Sequence, residues 1–157
     1  MSTAYDADFF SWALEQAAAL RRAGEVRPNL PVALDWHNLA EEIESMGNEQ
    51  AAKLRSSFRV LLTHLLKWRF QSEKRSPSWR RTIIRERINI EQHLIDNPGL
   101  KPRRQELLLS AYRLARKQAA LETDLALGRF PETCPFSLDE TCSDEFWPQG
   151  TRPGASR

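Results

Sequence analysis

The sequence is poor in what a β-sheet protein, a secreted protein or a membrane protein needs. Valine is rare, and no stretch alternates apolar and polar residues between turn signals, so strands have no support. There are two cysteines, Cys134 and Cys142. They do not form a Cys-x-x-Cys pair and no histidine lies near them, so they read as reduced, partly packed thiols of a cytoplasmic protein. No apolar run approaches the ~18 residues of a membrane span. The first ten residues carry two aspartates and no basic run ahead of an apolar core, unlike a secretory signal. Charge of one sign is also missing. Twenty-three Lys and Arg against 21 Asp and Glu leave +2, too balanced to argue for nucleic acid by itself. Glycine is scarce, with six residues. No phosphate-cradling glycine loop, Gly-x-Ser-x-Gly elbow or zinc-finger spacing occurs.

What remains is helical periodicity. A chain of 157 residues is about one domain, large enough to fold without a disulfide or metal. The pattern predicts an all-α, single-domain bundle of about five helices over 1–148. An irregular C-terminal strap closes it, and a disordered tail is expected over 149–157, where Gly, Pro, Ser and Arg dominate. The first helix is expected over 6–23, with Phe9, Phe10, Ala13, Leu14, Ala17 and Leu20 inward and Gly24 as its stop. A linker with Pro28 and Pro31 comes next. Asp35 is a good N-cap for a second helix to Met46, with Leu39, Ile43 and Met46 as its stripe, broken at Gly47-Asn48. The third helix, 48–70, has the strongest signal: Ala51, Leu54, Phe58, Leu61, Leu65 and Trp68 recur in steps of three and four. Ser76-Pro77 starts the fourth, since Ser76 can cap a free N–H and Pro77 has none to satisfy. Asn97-Pro98-Gly99 ends it. The fifth is expected over 102–127, with Leu107, Leu108, Ala111, Leu114, Ala115, Leu121 and Leu125 inward and Gly128 as its stop. Ser137-Leu-Asp-Glu140 is a capping box, and Phe130, Phe136, Phe146 and Trp147 read as anchors of the strap.

Polar residues offer three kinds of chemistry. His37, His64 and His93 fall on three expected helices, and three converging histidines could bind a metal. No helix supplies Glu-x-x-His or His-x-x-x-His, so surface or flanking histidines are the expectation, with no metal and no cofactor. Glu41, Glu42 and Glu44 form an acidic run. Glu42, between Leu39 and Met46, is expected on the core side with Lys67 as a possible cationic partner. From Lys67 to Arg87 the chain is basic: Lys67, Arg69, Lys74, Arg75, Arg80, Arg81, Arg85 and Arg87 face only Glu73 and Glu86. Trp68, Phe70 and Trp79 are interleaved, a composition that suits single-stranded nucleic acid but also fits pairing with the acidic segments inside the fold or across a dimer. The fourth helix carries two apolar stripes, Trp79, Ile83, Ile90 and Leu94 on one side and Ile84, Ile88 and Ile95 on another. Arg80, Arg87 and Glu91 lie between them. Such a helix touches two neighbours, one of which can be a second subunit. Buried arginine needs a partner, so Arg87 is expected to pair with Glu91 and Arg80 with Glu42 or Glu44.

Several segments together resemble a known family. They are Tyr5-Asp-Ala-Asp-Phe-Phe10 with Trp12, Leu34-Asp-Trp36, Leu39-Ala-Glu-Glu-Ile-Glu-Ser-Met-Gly47, His64-Leu-Leu-Lys-Trp68, Ser78-Trp-Arg80, and Phe130-Pro-Glu-Thr-Cys-Pro-Phe136 ending in Phe146-Trp147-Pro148. As a set they are similar to the bacterial family catalogued as domain of unknown function 29. The resemblance implies an all-helical protein and carries over no catalytic residue. The matching polar and aromatic positions are Glu41, Glu42, Glu44, His64, Lys67, Trp68, Trp79 and Arg80. With Arg87, the charged and histidine positions of this set make a candidate functional cluster, and Trp36, Trp68, Trp79 and Trp147 are its aromatic anchors. The expected function is a non-enzymatic, homo-oligomeric protein-interaction module in the cytoplasm, with itself or another protein as partner. The alternatives are a nucleic-acid-associated protein using 67–87, and a metal- or acid/base-dependent enzyme built around Glu42, Glu44 and His64.

Overall fold

The structure is a computed structural model that describes residues 3–26 and 34–149. The expected linker around Pro28 and Pro31, and the expected tail after Gln149, lie outside the described residues. Among those described, every regular element is a helix: α1 (Ala4–Ala7), α2 (Phe9–Val26), α3 (Trp36–Phe70), α4 (Pro77–Asp96), α5 (Arg104–Thr123) and α6 (Leu138–Cys142). Short 3₁₀ turns span Ser72–Lys74, Pro98–Arg103 and Leu127–Arg129. The fold class is therefore all-α, and none of these helices is long and apolar enough to cross a membrane. The chain divides into two compact units, Met1–Lys53 with Gln92–Pro102, and Leu54–Glu91 with Arg103–Arg157.

In the first unit, the expected opening helix is two. Asp8 leaves helical geometry at φ −158° and ψ 84°, because its carboxylate caps the start of α2: it accepts from Ser11 N at 3.0 Å and Ser11 Oγ at 2.9 Å. The same carboxylate accepts from Gly99 N at 2.6 Å, and Asn97 Oδ1 accepts from Phe10 N at 3.1 Å. Asn97-Pro98-Gly99 thus ends α4 and also satisfies the free N–H groups that open α2. A side chain at Gly99 would overlap Ser11 Oγ. Phe10, Ala13 and Ala17 are buried as expected. Gly24 does not stop α2, which continues to Val26.

The second and third expected helices are one. Asp35 caps α3 through Asn38 N at 3.1 Å, but Gly47 does not break it. A Cβ on Gly47 would stand 2.9 Å from Ala13 Cβ and 3.5 Å from Phe10 O, so the glycine allows close helix approach. The inward stripe is accordingly Ala40, Gly47, Ala51 and Leu54, while Leu39 and Met46 are 40% and 48% exposed.

In the second unit, α3 buries a broad face. Leu54, Phe58, Leu61, Leu62, Leu65 and Leu66 have no exposed surface, an arc wider than the expected seam. α4 starts as predicted, with Trp79 N donating to Ser76 Oγ at 3.2 Å. α5 presents Leu108, Ala111, Ala115 and Ala119 to the core, all fully buried. These small residues let it approach α3 closely enough for Thr63 Oγ1, bonded to Arg59 O on its own helix, to lie 3.5 Å from Ala115 O. Leu114 and Leu121, expected inside, are 49% and 72% exposed, since the alanines occupy the inward positions. α5 ends at Asp124, which takes the left-handed cap (φ 57°) expected of Gly128. The capping box forms on α6, with Glu140 N to Ser137 Oγ at 3.1 Å and Ser137 N to Glu140 Oε2 at 2.9 Å.

Candidate functional site

Three polar arrangements in the second unit gather most of its chemistry. The first lies between α3 and α5. His64 and Lys67 are one helical turn apart, and α5 brings Glu122 to them. Lys67, only 7% exposed, places Nζ 2.7 Å from Glu122 Oε2 and 4.6 Å over the Trp79 ring. Gln118 donates to the other carboxylate oxygen at 2.9 Å. Burial pushes the Glu122 carboxyl up, but the bonds from Lys67 and Gln118 outweigh it and hold the group below the ordinary range. His64 sets Nδ1 2.9 Å from Val60 O. A carbonyl only accepts, so Nδ1 carries the proton and neutral His64 has Nε2 as its acceptor. Desolvation, aided by the positive Lys67 and Arg85 nearby, lowers its pKa. Arg59, Val60, Thr63, His64, Gln118 and Glu122 enclose a cavity of about 170 Å³.

The second arrangement holds the strap. Arg87, 4% exposed, donates from Nε to Thr141 O at 3.0 Å and from Nη2 to Phe146 O at 2.8 Å. Arg75 bonds Trp68 O at 2.9 Å and Pro148 O at 3.2 Å. Trp147 packs on Trp68 at 4.9 Å, with the guanidinium groups of Arg87 and Arg80 over its ring at 5.5 and 6.0 Å. Arg75 and Arg87 therefore hold the strap through its carbonyls, and Trp68 and Arg80 pack on its Trp147. Among the described residues the expected Arg87–Glu91 pair does not form. Arg87 turns inward, where the strap's carbonyls replace a carboxylate, and Glu44 pairs with Arg21.

The third arrangement is the outer face of α4. On the part of α4 that belongs to the second unit, Ile84 and Ile88 are 37% and 58% exposed and fall within one stripe of the helix. Arg80, Arg81 and Arg85 flank the stripe toward its start and Glu91 lies toward its end, all of them exposed.

Of the expected functional cluster, then, the second unit joins His64 to Lys67, and Arg80 to Arg87 over the Trp147 ring. Glu41 meets His37 at 3.0 Å on an exposed surface. Glu42 is exposed, not core-facing, because the inward positions beside it belong to Ala40 and Ile43. Lys67 takes Glu122 in its place. Among the described residues, no three His, Cys, Asp or Glu side chains come together in a metal-binding group. Trp68, Trp79 and Trp147 belong to the two arrangements above. Trp36 is half-buried, with an indole N–H that meets no partner among the described residues. Cys134 and Cys142 are free, half-buried thiols, and burial pushes both pKa values up. Sequence reasoning missed Glu122. Its only signal was its place one turn after Gln118 on a helix rich in alanine.

The architecture is that of an all-helical protein with a tail segment bound by arginine. The chain is a member of one family in that class: the model for the domain of unknown function DUF29 matches residues 4–147, and the chain belongs to it. It is also similar to a solved structure described as an alpha-helical protein of unknown function from Rhodospirillum rubrum ATCC 11170. That likeness has 25% identity, covers 93% of both chains and has a TM-score of 0.67. No curated protein matches the chain.

Proposed function

We propose that this protein acts through protein contacts, as a helical module that pairs with a second copy of itself along α4. The observation that carries the reading is the outer face of α4 in the second unit, apolar at Ile84 and Ile88, with arginines toward its start and Glu91 beyond Ile88. An antiparallel partner helix lays Ile88 near its own counterpart and sets Arg85 of each copy against Glu91 of the other. A parallel partner opposes like charges. The complementarity therefore favours a two-fold, self-matching contact. Each isoleucine removed from water adds about 1.5–3 kcal/mol when fully covered.

The nucleic-acid reading draws less support. Lys67, Arg75 and Arg87 are committed to Glu122 and to carbonyls, which leaves them no phosphate to meet. The acid/base reading needs a carboxyl tuned toward neutrality, and Glu122 is shifted the other way. Two unpaired thiols suit the reducing cytoplasm.

Sedimentation of the full chain over a concentration series tests the pairing. Ile88→Asp should weaken the dimer about a hundredfold or more without changing the helical circular dichroism. Arg85→Glu should also weaken it, and adding Glu91→Arg should restore it. A wild-type chain that stays monomeric throughout the series overturns the reading.

A further inference from the structure

A wider cleft lies elsewhere in the second unit, between α5 and the segment 131–135. It has a volume of about 510 Å³, within the roughly 300–1,000 Å³ of small-molecule sites. Its α5 wall carries Arg113, Arg116 and Lys117, which face Glu132 as the lone acid in the lining.

Two of these cations, Arg113 and Lys117, differ from those that hold the strap. Arg116 is held in place by its own bonds, from Nε to Phe130 O at 3.0 Å and from Nη2 to Leu127 O at 3.2 Å. Arg113 and Lys117 are exposed and pair with no described side chain. They stand one turn apart, where like charges repel and weaken a helix. The Tyr112 hydroxyl is already donated to Pro131 O at 2.5 Å, and burial pushes its pKa up to about 12, so it stays a neutral phenol. The Thr133 hydroxyl is a further donor in the opposite wall. Leu109, 52% exposed, gives the cleft an apolar side.

The geometry points to a binding site for a small organic phosphomonoester. The phosphoryl group would be held between Arg113 and Lys117, with Arg116 adding its charge beside them, and the organic part would lie against Leu109. The site offers hydrogen-bond donors and positive charge with few acceptors, which selects an oxyanion. A bound dianion also relieves the repulsion between Arg113 and Lys117.

Calorimetric titration of the full chain with phenyl phosphate, and separately with inorganic phosphate, tests the site. Phenyl phosphate should bind saturably and at least about threefold tighter than inorganic phosphate, through the apolar side. Arg113→Ala with Lys117→Ala should weaken it at least about tenfold, while Lys74→Ala, an exposed cation outside the cleft, should leave it unchanged. Because neither removed side chain has a described partner, the double variant should melt at the wild-type temperature or above it, which separates lost binding from lost folding. No saturable binding overturns the proposal. So does equal binding by the double variant, which is a general salt effect, or equal affinity for the two phosphates.

Discussion

Lys67 carries an ammonium into a place where only 7% of the residue meets water, and it is tolerated there because Glu122 and the face of Trp79 answer its charge. Glu122→Gln keeps the shape and removes the charge. It should lower stability by about 1–3 kcal/mol in urea denaturation; a loss below about 0.5 kcal/mol would make the pair incidental. His64 beside it gives a pH signature of definite sign. Unfolded, it takes up a proton at 6.5; folded, desolvation and the neighbouring Lys67 and Arg85 hold its pKa lower. Between those values the unfolded chain binds more protons, so stability is complete above 6.5 and declines as pH falls below it. Glu122 contributes in a separate window. Its folded pKa is depressed, so its contribution is present above 4.5 and is lost as pH falls through the folded value. Urea midpoints measured from about pH 7 down to about pH 5.5 should therefore decline in the wild type and flatten in His64→Gln. An identical slope in both would assign the decline to other groups.

At the scale of the helix, α3 offers a test in which two effects have opposite signs. Propensity alone predicts that Gly47→Ala stabilises a helix by up to about 1 kcal/mol. The new methyl would stand 2.9 Å from Ala13 Cβ, and neither group can rotate away. The expected outcome is destabilisation by about 1–3 kcal/mol, read from the shift in Tm. A rise in Tm would mean that α2 and α3 have slack at this crossing. The same residue shows what the sequence could convey. The Ser76-Pro77 start, the Ser137 capping box, the Asp35 cap and the 51–65 seam were legible because each depends on neighbours within one or two turns. Gly47 was misread as a break because its role depends on Ala13 and Phe10, which are distant in sequence. Leu39, Met46, Leu114 and Leu121 were placed inside by hydrophobicity, whereas the closest packing positions went to Ala40, Ala111, Ala115 and Ala119. Periodicity counts large apolar residues, and small ones decide where helices meet.

At the scale of the whole chain, the fold class was legible and the grouping of polar residues was not. The acidic run and the basic stretch suggested a match between opposite charges, but Arg87 and Arg75 chose carbonyls, which every residue carries and no sequence pattern displays. The same choice has a kinetic consequence. Arg87's acceptors are made 54 and 59 residues after it, and closing a loop of that length costs about 3–4 kcal/mol of chain entropy. Such contacts form after the helices have packed, on the native side of the folding barrier. Arg87→Ala should therefore leave the refolding rate within about twofold and accelerate unfolding by about tenfold or more in stopped-flow chevrons. A slowed refolding limb would put the strap in the nucleus instead. On this account the strap sets the lifetime of the folded protein and not the speed at which it forms, so a nascent chain can fold its helices well before its most buried arginine has anything to hold.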